Sequence, residues 1–360
     1  MRVVVIGAGA VGSFLGATLA VAGHDVTLLG RQVPGPGVAA DLVFEEADGT
    51  RTTVAVRRTH DAATIDRPDL VIAAVKMFDL GAALRTAEAW PDVPLMTVQN
   101  GVGAEALAGA ARHSPILGGS LTSAVEVIAG GVRRLRTGGM GIAVVREVGV
   151  EASATGAAGP TAAAMSARLA ASWTMAGLPA RVYPDADAMK WSKLLANLVG
   201  NATSAILDLD PAQVYADPRG FAIERRQLRE AVDVMRMLGL RPVTLPGADV
   251  SMLLRGLALP AAIGRRLVAR GIAGARGGKS PSLRLHVRGG GTGATEARWL
   301  NGAVAEAGSG SGAATPVNAC LAALVDEVAL DPARAAWFAG RIDRLADALA
   351  AAERPAPSTS

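Results

Sequence analysis

The chain has 360 residues, of which 50% are apolar and 3% aromatic, and its formal net charge is +4. This length exceeds what one compact core usually holds, so we expect two domains. The excess charge comes from scattered arginines, and so few aromatic rings leave little for bases to stack on, so no nucleic-acid partner is expected. The one cysteine, Cys320, excludes an internal disulfide and fits a reducing compartment.

The chain shows no signal for a membrane or a metal ion. Its opening residues, MRVVVIGAGAVG, do not form the basic region and cleavable apolar stretch of a signal peptide. We expect no membrane span, because no run of about 18 uncharged apolar residues occurs. No His, Cys or Asp cluster has metal-ligand spacing, so no metal site is predicted. These features predict a cytoplasmic protein.

Strand and helix patterns alternate through the first half of the chain. RVVVI (2–6) is a continuous β-branched run, GAGAVG and a helical pattern follow it, and DVTLLG (25–30) is a second strand. The alternation predicts an α/β domain over 1–184 with a Rossmann-type, doubly wound parallel sheet. Further strands are predicted at 53–57, 69–75, 94–101, 139–145 and 178–183, helices at 80–89, from 104 and at 161–175, and a surface insertion at 149–160.

Strand patterns vanish after residue 185, and the rest of the chain is predicted to form an all-helical domain over 185–350. Helical spacing begins in the segment KWSKLLANLVGNATSA (190–205). A tail over 351–360 is expected to be disordered. Further helices are predicted at 219–238, 250–268, 295–306, 316–328 and 332–351, with glycine-rich connections at 271–278 and 289–293.

The loop GAGAVG has the spacing of a dinucleotide site. Gly7, Gly9 and Gly12 follow a strand and open a helix, and that context makes a common glycine pattern specific. Gly7 permits the tight turn, Gly9 lets the backbone approach a pyrophosphate, and Gly12 allows close packing of helix on strand. The anion would rest on the helix N-terminus. The predicted cofactor contacts in this loop are Gly7, Ala8, Gly9, Ala10, Val11 and Gly12.

The end of the second strand predicts the type of cofactor. An NAD site has Asp or Glu there for the ribose 2′-hydroxyl, whereas this chain has Gly30 and Arg31. A guanidinium pairs well with a 2′-phosphate, so we predict NADP(H). Lys76 and Asn100 follow two later strands, and both are expected in the same crevice.

An unusual polar stripe marks the helix that opens the second domain. Lys193, Asn197 and Asn201 are spaced four apart among leucines, and each step of four advances only about 40° around a helix. When a ketone takes up hydride, negative charge develops on its oxygen, and an ammonium can stabilise that charge and donate the proton. Neutral amides can orient a carboxylate or a hydroxyl beside it.

These features together resemble one enzyme family, the ketopantoate reductases, over roughly residues 1–345. The resemblance rests on GAGAVG, Arg31, Lys76, QNG (99–101), Lys193 with Asn197 and Asn201, TEARWLNGAV (295–304) and TPVN (315–318). It implies a Rossmann domain, a helical domain, and reduction of 2-dehydropantoate to (R)-pantoate with NADPH. The oligomeric state cannot be deduced from the sequence, and a homodimer is one option.

Carried over position by position, the resemblance also implies roles. Lys193 becomes the general acid and Glu296 the carboxylate that faces it. The residues implied to bind substrate are Asn100, Asn197, Asn201 and Ser282, and those implied to bind cofactor are Gly7, Gly9, Gly12, Arg31 and Lys76, with Asn100 beside both ligands.

The segment before Glu296 departs from the family pattern. Ser282 lies fourteen residues before Glu296, where the family has about twelve, and His286 stands where the family has an aspartate. The glycine-rich RGGGTGAT replaces a shorter link. Three alternatives follow: a related reductase acting on another carbonyl or imine, an opine-type dehydrogenase using His286, and an NADP-binding regulator without catalysis.

Overall fold

The computed structural model describes residues 1–31, 38–146, 161–261, 263–265, 280–289 and 295–353. Two compact units are present: Met1–Lys193 with Leu245–Ala248, and Leu194–Thr244 with Asp249–Ser360. The division falls inside one helix, after Lys193, whereas the sequence prediction placed it at 184/185. The predicted insertion at 149–160 and the connection at 271–278 lie outside the described residues.

The first unit is built on a sheet that has eleven strands among the described residues. The strand order is β11-β10-β7-β6-β5-β1-β2-β4-β3-β9-β8. The strands are β1 Arg2–Ile6, β2 Asp25–Leu29, β3 Val38–Glu45, β4 Arg51–Thr59, β5 Leu70–Ala73, β6 Leu95–Thr97, β7 Ile116–Leu121, β8 Ala124–Ile128, β9 Gly131–Arg136, β10 Met140–Arg146 and β11 Ala180–Tyr183.

The centre of the sheet is parallel, as predicted, but its flanks are mixed. β1 pairs in parallel with β2 and β5, and β5–β6–β7 and β2–β4 continue the parallel arrangement. Three pairs are antiparallel: β3–β4, β7–β10 and β8–β9. The prediction of an α/β domain with a doubly wound parallel sheet is confirmed, and the antiparallel pairs add mixed flanks to its parallel centre.

Four strands were absent from the sequence prediction, namely β3, β7, β8 and β9. Consecutive glycines, Gly118 and Gly119, interrupt the apolar pattern of β7, and glycine has low strand propensity. β9 reads GVRRLR, and its arginines conceal a buried position, Val132. Sheet pairing, which the local pattern does not encode, stabilises these strands.

Helices α1 to α4 and the first half of α5 complete this unit. Helix α1 is apolar along most of its length and packs against β2, with Phe14 and Leu15 fully buried. Phe14 meets Phe44 of β3 edge to face at 5.6 Å between ring centroids. The helices are α1 Ala10–Val21, α2 Leu80–Ala87, α3 Ala104–Ala111, α4 Ala162–Met175 and α5 Ala186–Leu198, with 3₁₀ turns at Ala62–Thr64 and Met77–Asp79.

The second unit is helical throughout its described residues. Helix α8 is its centre and packs against α7, α11, α12 and α14. The elements are α6 Ala202–Leu207, α7 Pro211–Ala216, α8 Pro218–Met237, α9 Val250–Ala258, α10 Ser282–Arg288, a 3₁₀ turn Glu296–Trp299, α11 Asn301–Ser311, α12 Pro316–Leu330, α13 Pro332–Phe338 and α14 Ile342–Ala352.

Four helices predicted as continuous are divided: the one expected over 250–268 breaks after Ala258, and the one over 295–306 opens as the 3₁₀ turn Glu296–Trp299 before α11. The helix expected over 332–351 ends at Phe338 and restarts at Ile342, because Gly340 adopts a left-handed conformation (φ 69°) and donates its N–H to Leu207 O. The predicted tail begins later than residue 351, since α14 runs to Ala352. Residues 354–360 lie outside the described part.

The helix expected to span 190–205 is divided as well, and this changes the polar stripe. Helix α5 ends at Leu198, Gly200 is left-handed (φ 58°), and α6 begins at Ala202 with Asn201 as its N-cap residue. A Cβ on Gly200 would lie 2.8 Å from Cβ of Pro211, so the turn requires glycine. Lys193 and Asn197 therefore share one helix face, whereas Asn201 lies beyond the turn.

Candidate functional site

Four loops meet at one edge of the sheet in the first unit. β1, β2, β5 and β6 run parallel in neighbouring positions, so their carboxyl ends lie together. The segments that follow them begin with Gly7, Gly30, Ala74 and Val98. Ligands of open parallel sheets bind at this edge, where the strand order reverses.

The glycine loop has the shape that a pyrophosphate requires. Gly7 is left-handed (φ 113°), and a Cβ there would lie 2.8 Å from the backbone of Ala74. A Cβ on Gly12 would lie 1.8 Å from the Gly7 carbonyl oxygen, so the third glycine is required by the turn itself as well as by helix packing. At Gly9 a Cβ would meet nothing within 4 Å, which leaves its backbone open to a ligand.

The same loop presents a helix N-terminus. Gly9 caps α1 with no side-chain hydrogen bond, and Ala10, Val11 and Gly12 form the first turn. The first N–H groups of a helix have no intrahelical acceptor and attract anions. Ala8 lies against Gly30, because a Cβ on that glycine would be 2.9 Å from the alanine Cβ. The residues present thus fit a dinucleotide pyrophosphate.

Two basic residues flank the glycine loop. The Arg31 side chain follows β2 and is 89% exposed, and its guanidinium lies 3.6 Å from the Asp79 carboxylate. Asp79 ends the 3₁₀ turn for which Lys76 is the N-cap residue. Lys76 is exposed and lies three residues after the end of β5. Both cations are therefore accessible to an anionic ligand at this edge.

Gln99 joins two of the strand ends. Its side-chain Nε2 donates to Ala73 O at 2.8 Å and to Val75 O at 3.1 Å, while its Oε1 accepts from Val98 N. The buried amide thereby holds the end of β5 beside the end of β6. Asn100, the next residue, is exposed, and the left-handed Gly101 follows it.

Helix α5 carries the predicted acid. Lys193 and Asn197 are half-buried and one turn apart. A second lysine, Lys190, is buried in the first unit, where its Nζ lies 2.9 Å from Glu105 Oε1. This pair was absent from the residues predicted from the sequence. Its only sequence signal is the additional lysine in KWSK on an otherwise apolar helix.

In the second unit, Asn201 and the start of α10 are brought together. The Oδ1 atom of Asn201 accepts a hydrogen bond from Leu283 N at 3.2 Å, and Asn201 is 4% exposed. Ser282, the first residue of α10, is exposed, and His286 follows one turn later. This helix packs against α6 and α12. The Nε2 atom of His286 is buried and has no hydrogen-bond partner among the described residues.

Glu296 begins the 3₁₀ turn Glu296–Trp299 and is 9% exposed. Thr295 is the N-cap residue, because its Oγ1 accepts from Ala297 N, and the same hydroxyl donates to Asp326 Oδ1 at 2.6 Å. The carboxylate of Glu296 is thus held on a short, capped turn fastened to α12.

Other motif residues of the second unit support the fold. Asn301 donates from Nδ2 to Gln227 Oε1 at 2.8 Å and to Asn318 Oδ1 at 2.9 Å. Glu230 accepts from Val317 N and Asn318 N at the start of α12. The amides in WLNG and TPVN therefore belong to a buried network that joins α8, α11 and α12.

A fully buried carboxylate fixes the turn that precedes Asn201. Glu224 Oε2 accepts from Gly200 N at 2.8 Å and from Tyr215 Oη at 2.7 Å, and its Oε1 accepts from Thr203 Oγ1 at 2.6 Å. Burial raises the pKa of Glu224, although these donors oppose the shift. The carboxylate thus orders the α5–α6 turn.

We expect this raised pKa to make stability depend on pH. A carboxyl group whose pKa is higher folded than unfolded contributes stability that is complete below the unfolded pKa and is lost as pH rises through the folded pKa. As the pH rises above 4.5, the urea midpoint of unfolding should therefore fall more steeply in the wild type than in Glu224→Gln. Urea denaturation across this range measures the difference, and parallel pH dependences would contradict the expectation.

No helix among the described residues is long and apolar enough to cross a membrane. No group of three or more His, Cys, Asp or Glu side chains is arranged there to hold a metal ion.

Comparison with protein families gives two matches that together span most of the chain. Residues 3–146 match the family described as "Ketopantoate reductase PanE/ApbA", and residues 185–329 match "Ketopantoate reductase PanE/ApbA C terminal". The chain is 30% identical over 328 residues to a 2-dehydropantoate 2-reductase of Halobacterium salinarum, covering 90% of this chain and 98% of that one. A 2-dehydropantoate 2-reductase of Mesorhizobium japonicum is 28% identical over 265 residues, 67% of this chain and 78% of the other.

Solved structures share the fold. A PanE/ApbA family ketopantoate reductase from Ralstonia eutropha superposes with a TM-score of 0.70 at 25% identity, covering 91% of this chain and 98% of that chain. D-mandelate dehydrogenase, solved with NADH and anilino(oxo)acetate, has a TM-score of 0.68 at 19% identity, covering 92% and 100%. The second likeness concerns the fold alone.

Proposed function

Because the chain belongs to the ketopantoate reductase family and is an oxidoreductase acting on CH–OH groups, we propose that it reduces 2-dehydropantoate to (R)-pantoate with NADPH. The observation that carries the proposal is the likeness to the Halobacterium 2-dehydropantoate 2-reductase along 98% of that protein. Lys193 on a half-buried helix face supports it, because the reaction needs a proton donor.

The cofactor is assigned from the strand-end loops. The backbone of Gly7–Gly12 would hold the pyrophosphate, Arg31 the 2′-phosphate, and Lys76 and Asn100 the part of the cofactor nearest the substrate. When bound, the reduced nicotinamide supplies the hydride. NADP(H) rather than NAD(H) is proposed because an exposed guanidinium, and no carboxylate, follows β2.

The residues of this chain handle charge and protons. The Lys193 ammonium would stabilise the negative charge that develops on the keto oxygen and then donate its proton to it. Glu296 would compensate the lysine charge. Asn100, Asn197 and Ser282 would orient the substrate. Asn201 would act through Nδ2, because its Oδ1 already accepts from Leu283 N.

Steady-state NADPH oxidation tests the proposal. We expect the highest kcat/KM with 2-dehydropantoate among a panel of 2-keto acids, and formation of (R)-pantoate by chiral chromatography. Higher kcat/KM with another keto acid would favour the alternative of a related reductase. This alternative has support in the position of His286, one turn after Ser282 on α10, where the family has an aspartate.

Each of the two further alternatives predicts a different experimental result. NADPH oxidation that depends on an added amine would favour an opine-type dehydrogenase. Tight NADPH binding with no turnover on any carbonyl would favour the regulator.

We also propose that the protein is a homodimer. The ketopantoate reductase of Staphylococcus aureus, which shares the fold with a TM-score of 0.66, is described as dimeric. Size-exclusion chromatography with light scattering should give twice the mass of one chain at micromolar concentration. A single-chain mass across that range would contradict the proposal.

A further inference from the structure

Lys190 and Glu105 form the most buried ion pair among the described residues of the first unit. The side chain of Lys190 is 3% exposed, and its Nζ lies 2.9 Å from Glu105 Oε1. The same Nζ donates to Gln99 O at 2.8 Å and to Gly119 O at 3.3 Å. An ammonium has three N–H donors, and here all three have acceptors.

The partner carboxylate is also anchored. Glu105 lies in the first turn of α3, its side chain is 10% exposed, and its Oε1 accepts from Thr97 Oγ1 at 2.7 Å as well. The pair therefore joins α5, α3, β7 and the segment that follows β6. Burying two charges costs desolvation free energy, which only full hydrogen bonding offsets. If the ion pair served stability alone, two apolar side chains would fill this space at a lower free-energy cost.

The contacts of Lys190 lead directly to the proposed cofactor and substrate residues. It holds the carbonyl of Gln99, whose peptide bond continues into Asn100. The side chain of Gln99 in turn holds Ala73 O and Val75 O, and Lys76 follows. The ammonium thus fixes the main chain that follows β6, and the Gln99 side chain links that segment to the end of β5.

Lys190 also fixes the rotation of α5. Residues three apart on a helix are separated by about 60° around its axis and are neighbours on its surface. With Lys190 held by three acceptors in the first unit, the helix cannot turn without breaking them, so the direction of Lys193 is set.

We propose that Lys190, paired with Glu105, is a positioning residue for the reduction: it aligns Asn100, the strand end before Lys76, and the acid Lys193. This inference rests on the proposed function. Misplacing a reacting group by about 1 Å can lower a rate by about 100-fold. The pair is expected to act more on kcat than on NADPH binding, since the glycine loop and Arg31 are outside its contacts. Among the proposed cofactor contacts, only Lys76 and Asn100 follow the segments that it holds.

Two variants separate positioning from stability. Lys190→Met leaves a buried carboxylate without its cation and should be both destabilised and slow. Lys190→Met/Glu105→Leu removes both charges and should recover most of the wild-type unfolding midpoint. We expect kcat to stay about 10- to 100-fold below wild type in both, and the Kd of NADPH to rise by a smaller factor, because the pyrophosphate loop is untouched and only the contacts at Lys76 and Asn100 are disturbed.

Hydrogen exchange supplies a readout that needs no turnover. In the double variant, amides of 97–103 and 190–198 should exchange faster than in the wild type although global stability has recovered. If the double variant does not fold, Lys190→Met assayed at 10 °C, with active sites counted by NADPH titration, gives the same kcat comparison. Unchanged exchange together with kcat within about threefold of wild type would overturn the proposal.

The results that would overturn the proposed function differ from those that would overturn the role of Lys190. A wild-type protein that binds NADPH but turns over no carbonyl overturns that function, and the exchange experiment still decides whether Lys190 orders these segments. If another keto acid proves to be the substrate, the kcat comparison is made with that compound. The Lys193→Ala variant, measured in parallel, gives the loss of kcat that follows from removing the acid alone.

Discussion

Replacing Lys193 with alanine is expected to lower kcat for ketopantoate reduction by about 10²- to 10⁴-fold, the usual contribution of a positioned proton donor. The alkoxide that forms on the substrate would have neither a cation nor a proton beside it. The Kd of NADPH should change little, because its proposed contacts are backbone groups of 7–12 and the side chains of Arg31, Lys76 and Asn100. Stopped-flow hydride transfer and NADPH fluorescence titration measure the two quantities.

Lys76→Ala is a matched control with the opposite signature. Like Lys193, Lys76 carries a positive charge. It lies beyond the end of β5, however, among the proposed cofactor contacts. Its removal should weaken NADPH binding more than it lowers kcat at saturating cofactor. If Lys193→Ala keeps kcat within about tenfold of wild type, the assignment of the acid is wrong.

The parts of the site that lie next to a strand end could be predicted from sequence. Arg31, Lys76 and Asn100 follow apolar runs that read as strands, and parallel strands end at one edge. The glycine loop is also local, since its spacing and the flanking strand and helix lie within about twenty residues. In the structure, all of these segments follow strands that are neighbours in the sheet.

Long-range partners could not be predicted. The Lys190–Glu105 pair joins α5 to α3, and no spacing rule connects residues that distant. The end of α5 at Leu198 depends on Glu224, which is 24 positions from Gly200 and binds its N–H. Helical periodicity alone therefore extended the polar stripe to Asn201, although a left-handed glycine separates that residue from the helix.

The asparagines of the motifs fall into two groups that the sequence does not distinguish. Asn197 is half-buried on α5, whereas Asn301 and Asn318 are fully buried and bonded to each other. Both kinds stand in motifs that carry the family resemblance. Only burial and hydrogen-bond partners distinguish an amide placed to meet a ligand from one that joins helices.

The proposed preference for NADP(H) predicts the second large effect, which is on the cofactor affinity of the Arg31→Ala variant. Arg31→Ala should raise the Kd of NADPH by about 10- to 100-fold, because a hydrogen-bonded charge pair with the 2′-phosphate is lost. NADH has a hydroxyl there, so its Kd should change less than about threefold. Isothermal titration with both cofactors gives the two ratios, and an equal loss for both would remove the basis for preferring NADP(H).

Asp79 sharpens this test, because its carboxylate lies 3.6 Å from the Arg31 guanidinium and would meet the same phosphate. An exposed ion pair contributes about 0–1 kcal/mol, so Asp79→Asn should tighten NADPH binding by up to about fivefold. The NADH affinity should stay constant. Opposite changes in NADPH affinity at Arg31 and Asp79 would place the 2′-phosphate between these two side chains, whereas weaker binding in both variants would mean that Asp79 serves to hold the guanidinium in place.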